Sequence, residues 1–213
     1  MTRTDLTRPL PDHLAGPSLG GFRSLSLGLS LVTVALLAAP VQAKTIRIAD
    51  QGDALSMDPH SLNESAQLSF LQNVYEPLVA RDRKLGVVPG LATSWSQQSD
   101  TVWIFKIRDG VTFHDGEKLT ADDVVFSLER SRADGSDMKS YTAQVTTIRK
   151  TDDLTVEITT STPFPILPDV LTQVMILSKS WAAENKSERP VDKRKGVENA
   201  ASDRANGTGP FRL

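Results

Sequence analysis

Two short segments pair a histidine with a carboxylate and are the first places to look for chemistry. His114 is followed directly by Asp115, and His60 comes two residues after Asp58. Such pairs can hold a metal ion or act as an acid–base dyad. Asp115 also begins an Asp-Gly step, which is typical of a hairpin turn, and His60 falls in a polar loop. We interpret both pairs as structural, with a secreted hydrolase that uses His114 and Asp115 as the alternative.

A second carboxylate pair, Asp122 and Asp123, has a simpler explanation. Adjacent helix residues point about 100° apart, so their carboxylates do not converge on one atom. Thr120 precedes them in a capping-box pattern, which predicts that they begin a helix. The sequence contains no cysteine and none of the common hydrolase, zinc-protease, P-loop or dinucleotide motifs. These absences favour binding over catalysis only modestly, and the residues indicate no catalytic residue, no metal ligand and no cofactor.

Length and charge limit the remaining classes of function. The chain has 213 residues, a formal net charge of −2 and 39% hydrophobic residues. A nucleic-acid-binding domain needs a basic face, which this charge balance disfavours. The hydrophobic fraction is close to that of an ordinary globular protein. We expect a folded chain that does not bind nucleic acid.

The first part of the chain has the pattern of a secretory signal peptide. An uncharged apolar run, Leu25–Ala39, follows Arg23 and precedes the small residues Val41 and Ala43. This run is shorter than the roughly 20 residues that a membrane-spanning helix needs. We predict that residues 1–43 are removed by cleavage between Ala43 and Lys44. Because the residue after the cut is not a cysteine, the exported protein is not expected to be a lipoprotein.

The remaining elements must position any site, and their apolar spacing predicts a mixture of strands and helices. We expect the charged region 182–206 to be a loop or a weak helix. Two Asp-Gly steps, at Asp109 and Asp115, predict hairpin turns. The other predicted elements are a strand at Lys44–Asp50, a helix capped by Asn63 and ended near Pro77, a strand at Val102–Arg108, a helix opened by Thr120 with Ala121, Val124, Val125 and Leu128 as its buried stripe, paired strands at Val145–Lys150 and Leu154–Thr159, a short helix ending at Leu171, and a buried run at Met175–Leu177.

Six segments occur in order along the chain: Ser56–His60, Val74–Val79, Pro89–Trp95, Trp103–Gly116, Leu119–Val124 and Gly207–Phe211. No single segment is specific, but together they span nearly the whole chain after the signal peptide. This succession resembles the extracellular solute-binding proteins of ABC importers for oligopeptides, dipeptides and nickel, which form solute-binding family 5. The resemblance implies a binding protein and not an enzyme.

The resemblance implies a fold and a function. The fold would be a mixed α/β (α+β) periplasmic binding protein of type II, with a small β-rich subdomain. The protein would be a periplasmic monomer that captures peptides and delivers them to a membrane permease. A receptor for a nickel chelate or another small solute is the alternative within the family. A secreted hydrolase, or a periplasmic chaperone that keeps the fold without transport, would be a different class of protein.

The resemblance also predicts the domain organisation. Members of the family continue well beyond the segment that matches Gly207–Phe211. Residues 44–213 would therefore be the N-terminal part of the solute-binding domain, with an incomplete first lobe and no second lobe. We expect apolar segments such as Met175–Leu177 to lack packing partners and to form an exposed patch.

Four places in the chain are expected to face a ligand cleft, judged by their order relative to the matching segments. They are a loop, a helix face, the segment after the Asp122 helix and the segment before Ser178. Apolar, flexible or aromatic side chains at these places would accept varied peptide side chains. The predicted ligand-binding residues are Met57, Leu68, Met138, Tyr141, Val174 and Met175.

Overall fold

The computed structural model describes residues 52–213. The predicted signal peptide, the cleavage site at Ala43 and Lys44, and the predicted strand Lys44–Asp50 lie outside these residues. Single-turn 3-10 helices occupy Lys139–Thr142, Leu171–Gln173 and Lys193–Lys195. The helices are α1 (Ser65–Leu71), α2 (Ala121–Arg132), α3 (Leu167–Val170), α4 (Lys179–Glu184) and α5 (Ala200–Asp203), and the strands are β1 (Val79–Arg81), β2 (Val87–Pro89), β3 (Ala92–Ser99), β4 (Val102–Ile107), β5 (Val145–Asp152) and β6 (Thr155–Thr160).

A four-stranded antiparallel sheet, in the order β3-β4-β6-β5, forms the larger core. Its central strand β4 buries alternate residues, because successive side chains in a strand point to opposite faces. Phe105 is fully buried and is paired with Val156 of β6. Strands β1 and β2 form a separate hairpin. The prediction of strand β4 and of the paired strands β5 and β6 is confirmed.

Helix α2 covers the sheet and begins as the sequence predicts. The Asp123 carboxylate accepts a hydrogen bond of 2.9 Å from the backbone N–H of Thr120, which satisfies a group that the helix itself leaves unpaired. The helix packs against β5 and β6, and Ala121, Val124 and Leu128 are buried in the same core as the sheet. Val125 is only partly buried, so the buried stripe is narrower than predicted.

The first helix differs from the prediction at both ends. Asn63 is not its N-cap, because α1 begins at Ser65 and its N-cap is Glu64. The backbone N–H of Asn63 instead donates to the Asp137 carboxylate, a contact across the chain that local sequence does not reveal. The helix ends at Leu71, well before Pro77. The apolar residues Val74, Tyr75 and Leu78 are buried beyond the helix, in an extended segment.

This extended segment organises a second, smaller core. The backbone N–H of Ile176 donates to the carbonyl of Glu76, and Pro77 forms a β-bridge with Met175. All three residues of Met175–Leu177 have 0% exposure. The buried run predicted from these apolar residues is confirmed. The exposed patch expected from the resemblance is wrong, because the segment 74–79 and helix α2 supply the packing partners of Met175–Leu177.

The last segment of the chain packs closely on the other side of the same extended segment. The N–H groups of Gly209 and Phe211 donate to the carbonyls of Val74 and Asn73. Close approach requires glycine here, because a Cβ atom added at Gly207 would lie 2.0 Å from the carbonyl oxygen of Val74.

We expect Gly207→Ala to lower the free energy of unfolding by about 2–3 kcal/mol, because the backbone must move to accept the methyl group. Gly52→Ala is the matched control, since a Cβ atom at Gly52 meets nothing within 4 Å. Urea unfolding of both variants measures the difference. Equal stability of the two variants would show that the segment after Asn206 is not packed as described.

The region 182–206 is mostly loop with short helical turns, as predicted. It contains α5, whose cap residue Asn199 accepts a hydrogen bond from the Ala201 N–H. Of the residues from 52 to 213, none belongs to a helix with the length and apolar character of a membrane span.

Candidate functional site

The loop from Ser56 to Asn63 is fixed by a buried ion pair. The guanidinium of Arg130, on helix α2, donates to both carboxylate oxygens of Asp58, at 2.7 Å and 2.6 Å. Both side chains are completely buried. The Arg130 Nε also donates to the carbonyl of Ser187 at 3.0 Å, so one side chain links three segments. Two parallel hydrogen bonds give this contact a defined geometry that a lysine does not reproduce.

His60 is part of the same cluster and is neutral. Its Nδ1 lies 3.0 Å from Nη1 of Arg130, and its Nε2 lies 3.1 Å from the carbonyl oxygen of Met175. An arginine can only donate, so Nδ1 accepts and Nε2 carries the proton that is donated to Met175. Burial and the neighbouring Arg130 charge lower the pKa of His60 from 6.5 to about 3. Both ring nitrogens are occupied, which leaves none for a metal ion or a proton transfer.

Asp58 stays ionised in this setting. Burial by itself would raise the pKa of Asp58, but the hydrogen bonds and the charge of Arg130 outweigh it and hold that pKa below its usual range. The carboxylate also accepts a hydrogen bond of 2.9 Å from the backbone N–H of His60. The cluster therefore shapes the loop and offers no group to a reactant.

The second histidine pair is not a dyad. The His114 Nε2 lies 2.8 Å from the carbonyl oxygen of Gly209, whereas the Asp115 carboxylate accepts from the side chain of Asn206 and the backbone of Glu117. Each side chain thus has its own structural partner, and together they clasp the segment Asn206–Gly209. This geometry does not support the hydrolase alternative. Among residues 52–213, no three or more His, Asp or Glu side chains are grouped closely enough to hold a metal ion.

Beyond the buried cluster, the loop borders an open cavity of about 520 Å³. Ser61 lies on one side, and the segment Asp134–Lys139, which follows helix α2, lies on another. Asp137 connects the two, because its Oδ2 accepts from the Asn63 N–H at 2.9 Å and its own N–H donates to the His60 carbonyl at 2.9 Å. The volume is within the range of small-molecule sites.

Asn63 adjoins this cavity through its hydrogen bond to Asp137, although neither Asn63 nor Tyr141 lines the cavity itself. The Tyr141 hydroxyl donates to the Asn63 Oδ1 at 3.2 Å, and both side chains are partly exposed. Within the described part of the chain, no acceptor is bonded to the Nδ2 of Asn63. The surface beside the cavity, which we call the wall, therefore offers an amide and a phenol ring, which is chemistry suited to a polar ligand with apolar side chains.

The structure brings most of the predicted site residues together. Met57, Leu68, Met138, Tyr141 and Met175 belong to the smaller core or pack against it, whereas Val174 belongs to the larger core. Leu68, Met138, Val174 and Met175 are at most 7% exposed, so here they are core residues. Met57 and Tyr141 are partly exposed and can reach a ligand directly. That any of the six contacts a ligand stays a prediction.

Sequence reasoning missed three residues that organise the wall. Arg130 is near the C-terminal end of α2, where a basic residue suits the helix dipole, yet it is only 2% exposed. Asn63 is predicted above as a helix cap, and no pattern in the sequence indicates Asp137. Arg130 and Asp58 are 72 residues apart, so no local spacing joins them. The local indication is an arginine on the same helix face as Asp123 and Ser127, both of which are buried.

Two comparisons with known proteins bear on this geometry. Residues 86–213 match the model of the bacterial extracellular solute-binding proteins, family 5. The dipeptide-binding protein of Escherichia coli is 30% identical over 215 residues, an alignment that covers 89% of this chain. The chain belongs to solute-binding family 5. The resemblance and the fold class predicted from the sequence are confirmed.

Other similarities of the family 5 chain are consistent with this membership. The glutathione-binding protein GsiB of Pectobacterium atrosepticum is 34% identical over 137 residues, which are 62% of this chain. The structure of NikZ from Campylobacter jejuni, in complex with Ni(L-His), superposes with a TM-score of 0.64 over 76% of this chain and 31% of NikZ. At 23% identity, that likeness concerns the fold alone. The chain spans 38% of the E. coli relative and 27% of the Pectobacterium one.

Proposed function

We propose that this chain forms part of the peptide-binding component of an ABC importer. The observation that carries the proposal is that two relatives, at 30% and 34% identity, are a dipeptide-binding and a glutathione-binding protein. Both ligands are short peptides or peptide-like molecules. The protein binds such a ligand and delivers it to a membrane permease, and it carries out no covalent chemistry on it.

The wall around Asn63 supports this role. A short peptide presents amide N–H and C=O groups along its backbone, and side chains of variable shape. Asn63 offers a free amide N–H, and the Tyr141 ring and the thioether of Met57 adapt to different side chains. The six charged side chains that line the cavity form three ion pairs with one another. In a two-lobed receptor this wall is one side of the cleft, and closure of the second lobe removes the ligand from water.

The same proposal includes export and organisation. Residues 1–43 act as a signal peptide that is cleaved before Lys44, which releases a periplasmic monomer without a lipid anchor. Residues 44–213 are the N-terminal part of the solute-binding domain. The partners are a peptide and the permease subunits at the inner membrane, and no nucleic acid is involved.

Ligand-observed NMR tests the proposal, because saturation transfer detects the weak binding that a single wall provides. Saturation of the chain should transfer to alanyl dipeptides in a mixture, but not to free alanine at the same concentration. A calorimetric titration with Ni(L-His) tests the nickel-chelate alternative in parallel. Transfer to no peptide, together with heat from the nickel complex, would favour that alternative over a peptide receptor.

A further inference from the structure

The cavity beside Ser61 is bounded in part by a charged segment, Pro190–Gly196, which we call the strap. Asp192, Arg194 and Lys195 of the strap line the cavity together with the segment Asp134–Lys139. The middle of the strap is the 3-10 turn Lys193–Lys195, and none of its three residues is buried. The strap thus forms one side of the cavity without a buried side chain in that turn.

Both ends of the strap are anchored. At the first end, Pro190 packs so closely on Gly135 that a Cβ atom added there would lie 2.3 Å from the Pro190 carbonyl oxygen. Gly135 has φ +92°, which a side chain would also disfavour. Beyond the other end, the Asn199 side chain donates to the carbonyl of Arg189 at 3.1 Å and caps α5. These contacts leave the middle of the strap as its weakest part.

One ion pair connects the middle of the strap to the rest of the described chain. The Arg194 Nη1 and Nη2 donate to the Asp137 carboxylate at 2.9 Å and 2.7 Å. The other ion pairs of this turn, Lys195 with Asp192 and Lys193 with Glu198, are local. The Arg194 side chain is 59% exposed, and exposed pairs of this kind contribute little to stability. Opening of this contact is therefore an easy, local event.

We propose that the strap is a gate over the cavity and that the Arg194–Asp137 ion pair is its latch. Release of Arg194 widens access to the cavity and frees one side of the Asp137 carboxylate, whose Oδ2 is held by the Asn63 N–H. Through Asp137, the latch therefore connects the strap to Asn63, which belongs to the wall proposed to contact the ligand. The claim that a ligand enters through the open gate rests on the proposed function. Opening of the gate itself can be measured without any ligand. Failure of the gate and failure of the proposed function can therefore be told apart.

Limited digestion with a protease that cleaves only after lysine tests the gate, because Lys193 and Lys195 flank Arg194. Asp137→Asn removes the charge and keeps an oxygen for the Asn63 N–H. We expect this variant to be cut at Lys193 or Lys195 about two- to fivefold faster than the natural chain. Asp134→Asn is the matched control, because it breaks an exposed ion pair with Lys139 outside the strap and leaves the latch intact. Its cleavage rate at these sites should stay within the error of the natural chain.

Arg194→Gln removes the other partner of the ion pair and leaves both lysine cleavage sites in place. It should accelerate cleavage as much as Asp137→Asn does, and the double variant should be no faster than either single one. Thermal melting of each variant shows whether cleavage reflects local opening. Equal rates in all variants, equal acceleration by Asp134→Asn, or additive effects in the double variant would overturn the proposal. Acceleration at every lysine with a lowered melting temperature would overturn it too, because it would show global unfolding instead of a gate.

Discussion

Replacing Arg130 with methionine should lower the free energy of unfolding by about 3–5 kcal/mol. The substitution keeps an apolar side chain of similar length but leaves the Asp58 carboxylate buried without its counter-ion. It also leaves His60 without the donor to its Nδ1 and Ser187 without the donor to its carbonyl. Urea unfolding followed by circular dichroism measures the loss.

Two further variants separate charge from packing at this cluster. Arg132→Met, on the same helix, removes only an exposed pair with Glu129 and should change stability by less than about 0.5 kcal/mol. Adding Asp58→Asn to the Arg130→Met variant should recover part of the loss, because it removes the uncompensated charge. If the Arg130 and Arg132 variants are equally stable, the ion pair does not hold the loop.

The stability of the chain should fall as the pH drops from 6.5 towards 4, and His60 should account for about 3 kcal/mol of that fall. The pKa of His60 is about 3 in the folded state, against 6.5 in the unfolded chain. In this interval the unfolded chain takes up a proton that the folded chain does not, so acid favours unfolding. The pKa of Asp58 is held below its usual 3.8. The contribution of Asp58 to stability is therefore lost below the pH interval in which the effect of His60 is measured.

The variant His60→Asn isolates this effect. Asparagine offers an oxygen to Arg130 Nη1 but has no group that titrates in this range. Unfolding free energies of the two proteins, measured at several pH values, should converge as the pH falls from 6.5 to 4. Parallel pH profiles would show that His60 is accessible to a proton in the folded chain and is not enclosed with Arg130.

The parts of the fold that the sequence predicted depend on local patterns. The alternation of Trp103, Phe105 and Ile107 requires a strand with one buried face, and the spacing of Thr120 and Asp123 requires a helix start. The start of α1 was mispredicted because Asn63 is a good cap by type but is bound by Asp137, 74 residues away. Met175–Leu177 was expected to be exposed because the resemblance implies an incomplete first lobe, but its neighbours come from the distant segment 74–79 and from helix α2.

The site was harder to predict than the fold for the same reason. The predicted ligand-binding residues were selected by residue type and by their order along the chain. Residue type does not distinguish a side chain in the core from one that faces the cavity. Met138 is fully buried, whereas Tyr141, three residues later, reaches Asn63 at the surface. The residues that set the shape of the wall, Arg130 and Asp137, act through contacts across the chain and carry no local motif.

Amide NMR tests whether a peptide binds beside Asn63, because it locates binding on the chain. Titration with millimolar alanyl-alanine should shift the signals of Ser61–Asn63 and Asp137–Tyr141. Asn63→Ala should weaken these shifts at least about threefold, whereas Asn73→Ala, whose exposed side chain bonds only to its own helix turn, should leave them unchanged. Shifts confined to the separate cavity beside Glu76 and Gln173, or no shifts at all, would contradict a peptide site beside Asn63.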